Sequence, residues 1–180
     1  LYAAVISHWA TLLMFVAVVA SADWSWPALV GATVSAGATN GLALLVGHEL
    51  GHKTRDPVQR TMAKIALAVT GYGHFTAEHN NGHHIHVATP EDSASARYGE
   101  SIYAFSRREI PGAFLRGWAI ERQRLATLGA RPVSLENQII QSWLITGAGY
   151  GLATLLWSWP ALAFLLVSAA SGWWQLTSAN

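Results

Sequence analysis

The sequence predicts an all-α fold: a polytopic membrane helix bundle with about four transmembrane helices and a histidine-bearing polar region. Three observations predict it. Only 12% of the residues are charged while 52% are hydrophobic, and a soluble domain carries about twice that charged share. Every Asp, Glu, Lys and Arg lies between Asp23 and Glu136, which leaves 1–22, 24–47 and 137–180 without a formal charge. Of the nine Trp, Trp24, Trp26, Trp157, Trp159, Trp173 and Trp174 fall near the ends of those stretches, as interfacial aromatic belts do.

About 20 apolar residues cross a bilayer as a helix. The uncharged stretches therefore give spans at about 2–21, 27–48, 138–157 and 160–178, the last two separated by Trp157-Ser158-Trp159-Pro160. Four such lengths as buried helices of a soluble core would leave the chain no polar surface. The second span is rich in small residues, among them Gly31, Ser35, Gly37, Gly41 and Ala43, and such a face lets helices approach closely in lipid. Residues 61–76 are mostly apolar but broken by Lys64, Gly71 and Gly73. They read as a helix buried against the bundle or dipping into the interface. Residues 97–136 are polar and of mixed charge, the pattern of a solvated helix.

All eleven Lys and Arg lie between Lys53 and Arg131, and neither short turn between spans contains one. The positive-inside rule then places 49–137 in the cytoplasm and both turns outside. The whole of 1–180 reads as one partial membrane domain with a metal-binding region at 48–137. It starts at Leu1 inside an apolar run, without the charged segment or cleavage site of a secretory signal, and is expected to be a fragment of a longer protein. A net charge of +1 and the lack of any nucleic-acid-binding motif argue against DNA or RNA as partner. With no Cys, disulfides, thiolate ligands and cysteine nucleophiles are excluded.

Five of the eight His fall in two tight clusters. His48 and His52, in His48-Glu49-Leu50-Gly51-His52, are four apart and share one face of a helix. This spacing alone also fits a zinc protease, with Glu49 as general base. Glu78-His79-Asn80-Asn81-Gly82-His83-His84 adds three imidazoles, His79 and His83 on one helical face with His84 adjacent. Five imidazoles exceed what one catalytic zinc needs, and nitrogen-rich sites suit iron, copper and nickel as well. Two irons would use this supply. Polar groups at the end of a membrane span are costly, which favours function for all five. His8 and His86, each alone, read as structural or interfacial. His74, Glu49 and Glu78 are candidates for supporting a ligand through its second nitrogen. Either Glu could instead ligate or simply lie in the polar interface.

HELGHK (48–53), EHNNGHH (78–84) and VATPEDSASARYGE (87–100) resemble the consecutive signature segments of membrane alkane monooxygenases. The first two are shared in looser form with fatty-acid desaturases, hydroxylases and xylene monooxygenases, and WQLTSAN (174–180) resembles the approach to the next box of the alkane hydroxylases. The resemblance implies a non-haem di-iron centre ligated by His48, His52, His79, His83 and His84. It also implies O2 as co-substrate and hydroxylation of the terminal methyl of medium- or long-chain n-alkanes. Electrons would come one at a time from rubredoxin, supplied by rubredoxin reductase and NAD(P)H. It implies a multi-pass protein of the bacterial inner membrane with its active site on the cytoplasmic side, where exposed Arg in 97–131 would help dock the acidic rubredoxin. A desaturase or xylene-type hydroxylase on the same scaffold, an HExxH zinc protease, and a metal-binding module without turnover are the alternatives. The family's further ligands, in EHYG-type and QRHxxHH-type segments, do not occur in 1–180, so the piece alone is expected to be inactive. Ser93 stands where the family usually has Pro, and His86 where a basic residue is common.

Overall fold

The computed structural model describes residues 1–53 and 55–179; Thr54, and Asn180 at the end of the WQLTSAN run, lie outside the described residues. Among these the chain is all-helical, with no strand. Helices α1 (Tyr2–Ala20), α2 (Trp26–Gly51) and α3 (Pro57–Ala68) are followed by a short α4 (Phe75–Glu78), a π-helical turn (His79–His83) and α5 (His84–His86). Two long helices complete the fold, α6 (Ile102–Thr127) and α7 (Gln138–Ser178).

Capping chemistry sets the starts of three helices. Asp56 accepts from the backbone N–H of Val58 at 2.9 Å and of Gln59 at 3.3 Å, with Pro57 as first helical residue of α3. Ser101 accepts from Ala104 N–H to open α6, and Asn137 accepts from Ile139 and Ile140 N–H to open α7.

Three helices, α1, α2 and α7, are long and apolar enough to cross a membrane. The third is really two arms. Helical assignment runs unbroken through all 41 residues of α7, yet Ser158 has φ 66° and ψ −173°. A straight helix would separate Trp143 from Trp173 by about 45 Å. Instead their indoles donate to neighbouring carbonyls, Trp143 to Gly71 and Trp173 to Thr70, both at 3.1 Å. The chain therefore doubles back at the Trp157–Pro160 turn, and the two stretches 138–157 and 160–178 lie on the two arms. Positive φ with extended ψ is ground that only glycine occupies without strain. Ser158→Gly is expected to raise stability by about 1 kcal/mol, read as a higher melting temperature in detergent; an unchanged or lower value would mean that the turn is unstrained.

Small residues bring α2 and the second arm of α7 together. A Cβ at Gly37 would collide with Ser171 Oγ, and one at Gly172 would sit 2.9 Å from Asn40 Cβ. Around this contact Leu12, Val16, Ala36, Ala43, Ala161 and Leu165 form the main core.

Residues 61–76, expected to lie against the bundle, do so through α3 and the turn after it, with Ala63, Ala66, Leu67 and Ala68 buried. A helix end that leaves water must find other donors for its last carbonyls. Side chains of α1 and α7 supply them. Trp9 donates to Ile65 O at 2.9 Å, Thr146 to Ala68 O at 2.7 Å and Tyr150 to Val69 O at 2.9 Å. The sequence expectation of a solvated helix over 97–136 needs correcting. One face of α6 carries buried Phe105, Glu109, Ala113, Gly117 and Glu121 against the rest of the fold.

Candidate metal centre

All five boxed imidazoles converge. His48 lies in the last turn of α2 and His52 caps its C-terminal end, their ring centroids 4.7 Å apart. His79 lies against them, 4.3 Å from His48 and 5.2 Å from His52, and one nitrogen of each of the three falls within 4.8 Å of the others. His84 approaches His79 at 4.4 Å and His52 at 5.1 Å, and His83 stacks on His79 at 5.3 Å.

The π-helical turn explains how three imidazoles from six residues reach one place. His84 N–H bonds to His79 O, an i to i+5 closure. The wider turn brings residues five apart toward one face, whereas α geometry favours those three and four apart. His79 and His84 thereby meet as closely as His79 and His48 do. Phe75, one turn before, stacks on His79 at 4.8 Å and 16° and fixes its plane.

The centre of the cluster could hold a cation. His79 is buried and its Nε2 has no hydrogen-bond partner among the described residues. Burial, and then the neighbouring imidazoles, push its pKa down to about 3. At neutral pH it is therefore an uncharged donor with a lone pair to give. An orphaned polar nitrogen in an apolar surround is expensive unless something coordinates it. The donor set, imidazole throughout, suits iron.

The supporting groups differ from those the sequence suggested. His83 Nδ1 lies 2.8 Å from Asp92 Oδ2, and Asp92 is fully buried. Burial alone would raise the Asp92 carboxyl, but Ser95 Oγ, Arg116, Ala94 N–H and His83 together hold it down to about 2. An ionised Asp92 must accept, so Nδ1 carries the proton and Nε2 of His83 is left free to bind a metal. Arg116 on α6 anchors this carboxylate: its Nη2 donates to Asp92 Oδ1 at 2.6 Å and, closely, to Glu78 Oε1. Its Nε reaches the same Glu78 oxygen at 2.8 Å and Nη1 the Glu91 carbonyl at 2.8 Å. Glycines make room for it. A Cβ at Gly82 would lie 2.7 Å from Arg116 Nε, and one at Gly117 would lie 3.0 Å from the His74 carbonyl.

Glu78 is thus bonded to Arg116 and to no boxed imidazole. Glu49 is exposed and accepts no hydrogen bond among the described residues. His74 is buried between Tyr72 (4.3 Å) and Phe114 (5.5 Å), away from the five imidazoles, and burial pushes its pKa down to about 4. Asp92 and Arg116 are what the sequence reading missed. Asp92 lay in plain view within the VATPED run, whereas nothing in the local sequence marks Arg116. A second arginine does similar work: Arg108 pairs with Glu100 at 2.7 Å and donates to the carbonyls of Ser93 and Ser95, pinning the 87–100 loop.

The sequence profile of the fatty acid desaturase family matches residues 24–180. The chain belongs to that family. It is 50% identical over 179 residues to the alkane 1-monooxygenase of Ectopseudomonas oleovorans, covering 99% of this chain and 44% of that one. Alkane 1-monooxygenase 1 of Alcanivorax borkumensis is 46% identical over 185 residues, covering 99% and 46%. The xylene/toluene monooxygenase hydroxylase component of Pseudomonas putida is 31% identical over 126 residues, covering 70% and 34%. The chain thus spans less than half the length of the relatives it matches. A single-zinc protease site does not accord with membership of this family.

Proposed function

We propose that this chain is part of a membrane di-iron monooxygenase that hydroxylates the terminal methyl of medium- or long-chain n-alkanes. The observation that carries the proposal is the convergence of His48, His52, His79, His83 and His84 around an unpartnered buried nitrogen. The alkane 1-monooxygenases that match nearly the whole chain give the substrate class. In this reading the five imidazoles ligate two non-haem irons, together with ligands from outside residues 1–180. Bound iron supplies the activation of O2, which no side chain here can perform.

The chain's own residues do the rest. Asp92 orients His83 and fixes its tautomer, with Arg116 and Glu78 behind it. Phe75 covers His79, the buried imidazole of the five, and the ends of the apolar helices give an alkane an entry from the lipid. The cluster lies at the end of the bundle that the positive-inside rule assigns to the cytoplasm of a bacterial inner membrane. There rubredoxin would deliver electrons that originate in rubredoxin reductase and NAD(P)H. The relation to the xylene/toluene enzyme favours one further reading, an aromatic methyl as substrate.

The test is metal content of the full-length protein. About two irons per chain are expected, as in other two-metal sites, and the paired variant His83→Ala/His84→Ala should lose iron together with oxygen-dependent octane hydroxylation. One zinc, indifferent to the double substitution, would sink the proposal. Iron retained with xylene but not octane as substrate would move it to the aromatic reading.

A further inference from the structure

On the far side of the second histidine cluster, among α3, α4, α6 and the start of α7, lies a cavity of about 470 Å³. Gly51 and Asn80 line it; they neighbour His52 and His79 in the chain and are tied by a 2.8 Å bond from Asn80 Nδ2 to the Gly51 carbonyl. Three cations, Arg60, Lys64 and Arg124, line it against one acid, Glu121. That acid is already engaged. Glu121 accepts from Arg124 Nε at 2.7 Å and Nη2 at 2.6 Å, and from Gln138 N–H at 2.7 Å.

Arg60 and Lys64 therefore face the cavity with no carboxylate paired to either among the described residues. Among the described residues the Lys64 ammonium donates to the neutral Gln141 amide oxygen alone. Burial depresses its pKa, and the Arg60 and Arg124 charges depress it further, with Glu121 opposing them. Two like charges at the rim of one cavity gain from an anion between them. The level of the cavity says what kind. Gly51 ends α2 and Gln138 begins α7, so the cavity lies where two apolar helices leave the hydrocarbon core, at the depth of lipid phosphates.

We propose that this cavity is a binding site for a phosphate-bearing anion, held by Arg60 and Lys64. An anionic phospholipid headgroup and free phosphate share that chemistry. The site does not depend on the iron assignment.

The test uses the full-length protein in phosphatidylcholine nanodiscs with and without phosphatidylglycerol, and delipidated in detergent with and without inorganic phosphate. A rise in melting temperature with phosphatidylglycerol alone, lost in Arg60→Gln/Lys64→Gln and kept in Arg122→Gln on the exposed face of α6, assigns the site to lipid. A rise with inorganic phosphate that follows the same variants assigns it to a soluble phosphate. Arg60 is exposed, so the single variant Arg60→Gln should fold even if the pair does not, and it should lose part of the shift. No shift with either ligand, or a shift equal in Arg60→Gln and wild type, overturns the proposal. So does the case in which the variants weaken only the binding of an acidic carrier protein, which would make the cavity a protein dock.

Discussion

Arg116→Ala is expected to destabilise the metal-free protein by about 3–5 kcal/mol, the usual effect of removing one partner from a buried ion pair. The reason lies in what it leaves behind. Glu78 and Asp92 are buried carboxylates, and among the described residues Arg116 is the one arginine or lysine paired with either. Without it two negative charges face one another out of reach of water, and the Glu91 carbonyl loses its donor. Arg116→Lys keeps a charge but not the fork that reaches Glu78, Asp92 and Glu91 together, so it should recover only part of the loss. The measurement is thermal unfolding in detergent against Arg107→Ala, an exposed arginine on the same helix whose loss should stay within about 0.5 kcal/mol. Equal effects for the two would show that the Arg116 network contributes nothing to the fold.

Asp92→Ala is expected to weaken metal binding by about 10–100-fold, the usual consequence of removing the group behind a metal-ligating histidine. Asp92 accepts the Nδ1 proton of His83, so its loss frees the ring to rotate and to take the other tautomer. Asp92→Asn retains an oxygen that can accept from Nδ1. It should fall between wild type and Asp92→Ala, which separates orientation from charge. Cobalt(II) titration of the metal-free full-length protein, followed by its visible absorption, reads this without recourse to turnover. Unchanged affinity in a folded Asp92→Ala would remove Asp92 from the site. His74→Phe, which fills the same space between Tyr72 and Phe114, should leave metal affinity unchanged. A fall with that variant would restore His74 as a supporting group.

The contrast between Glu78 and Asp92 shows where sequence reasoning ran out. Both are acidic and both are near boxed histidines, and adjacency in the chain favoured Glu78. Its carboxylate instead turns toward α6, because Arg116 approaches over Gly82, where any side chain would block it. The loop after α5 folds Asp92 back under His83, nine residues away, with Ser95 at 2.6 Å and Ala94 N–H at 3.1 Å holding it there. Neither event has a local signature. The same holds for α6: its buried and exposed residues follow contacts with α4 and α7, while its composition reads as solvated throughout.

The π-helical turn is a related case. Helical period alone placed His79 and His83 together with His84 beside them, and a wider turn was needed to bring His84 to His79 as well.

By itself the sequence determined the helical character of this protein, the apolar stretches that fit a membrane, the reversal at Trp157–Pro160 and the five histidines that the fold gathers into one cluster. These follow from composition, period and spacing, which are properties of short stretches of chain. Tertiary structure alone decided which carboxylate stands behind a histidine, which arginine holds it, and which cations are left facing a cavity. Burial and charge pairing depend on residues tens of positions apart, and only packing brings those together.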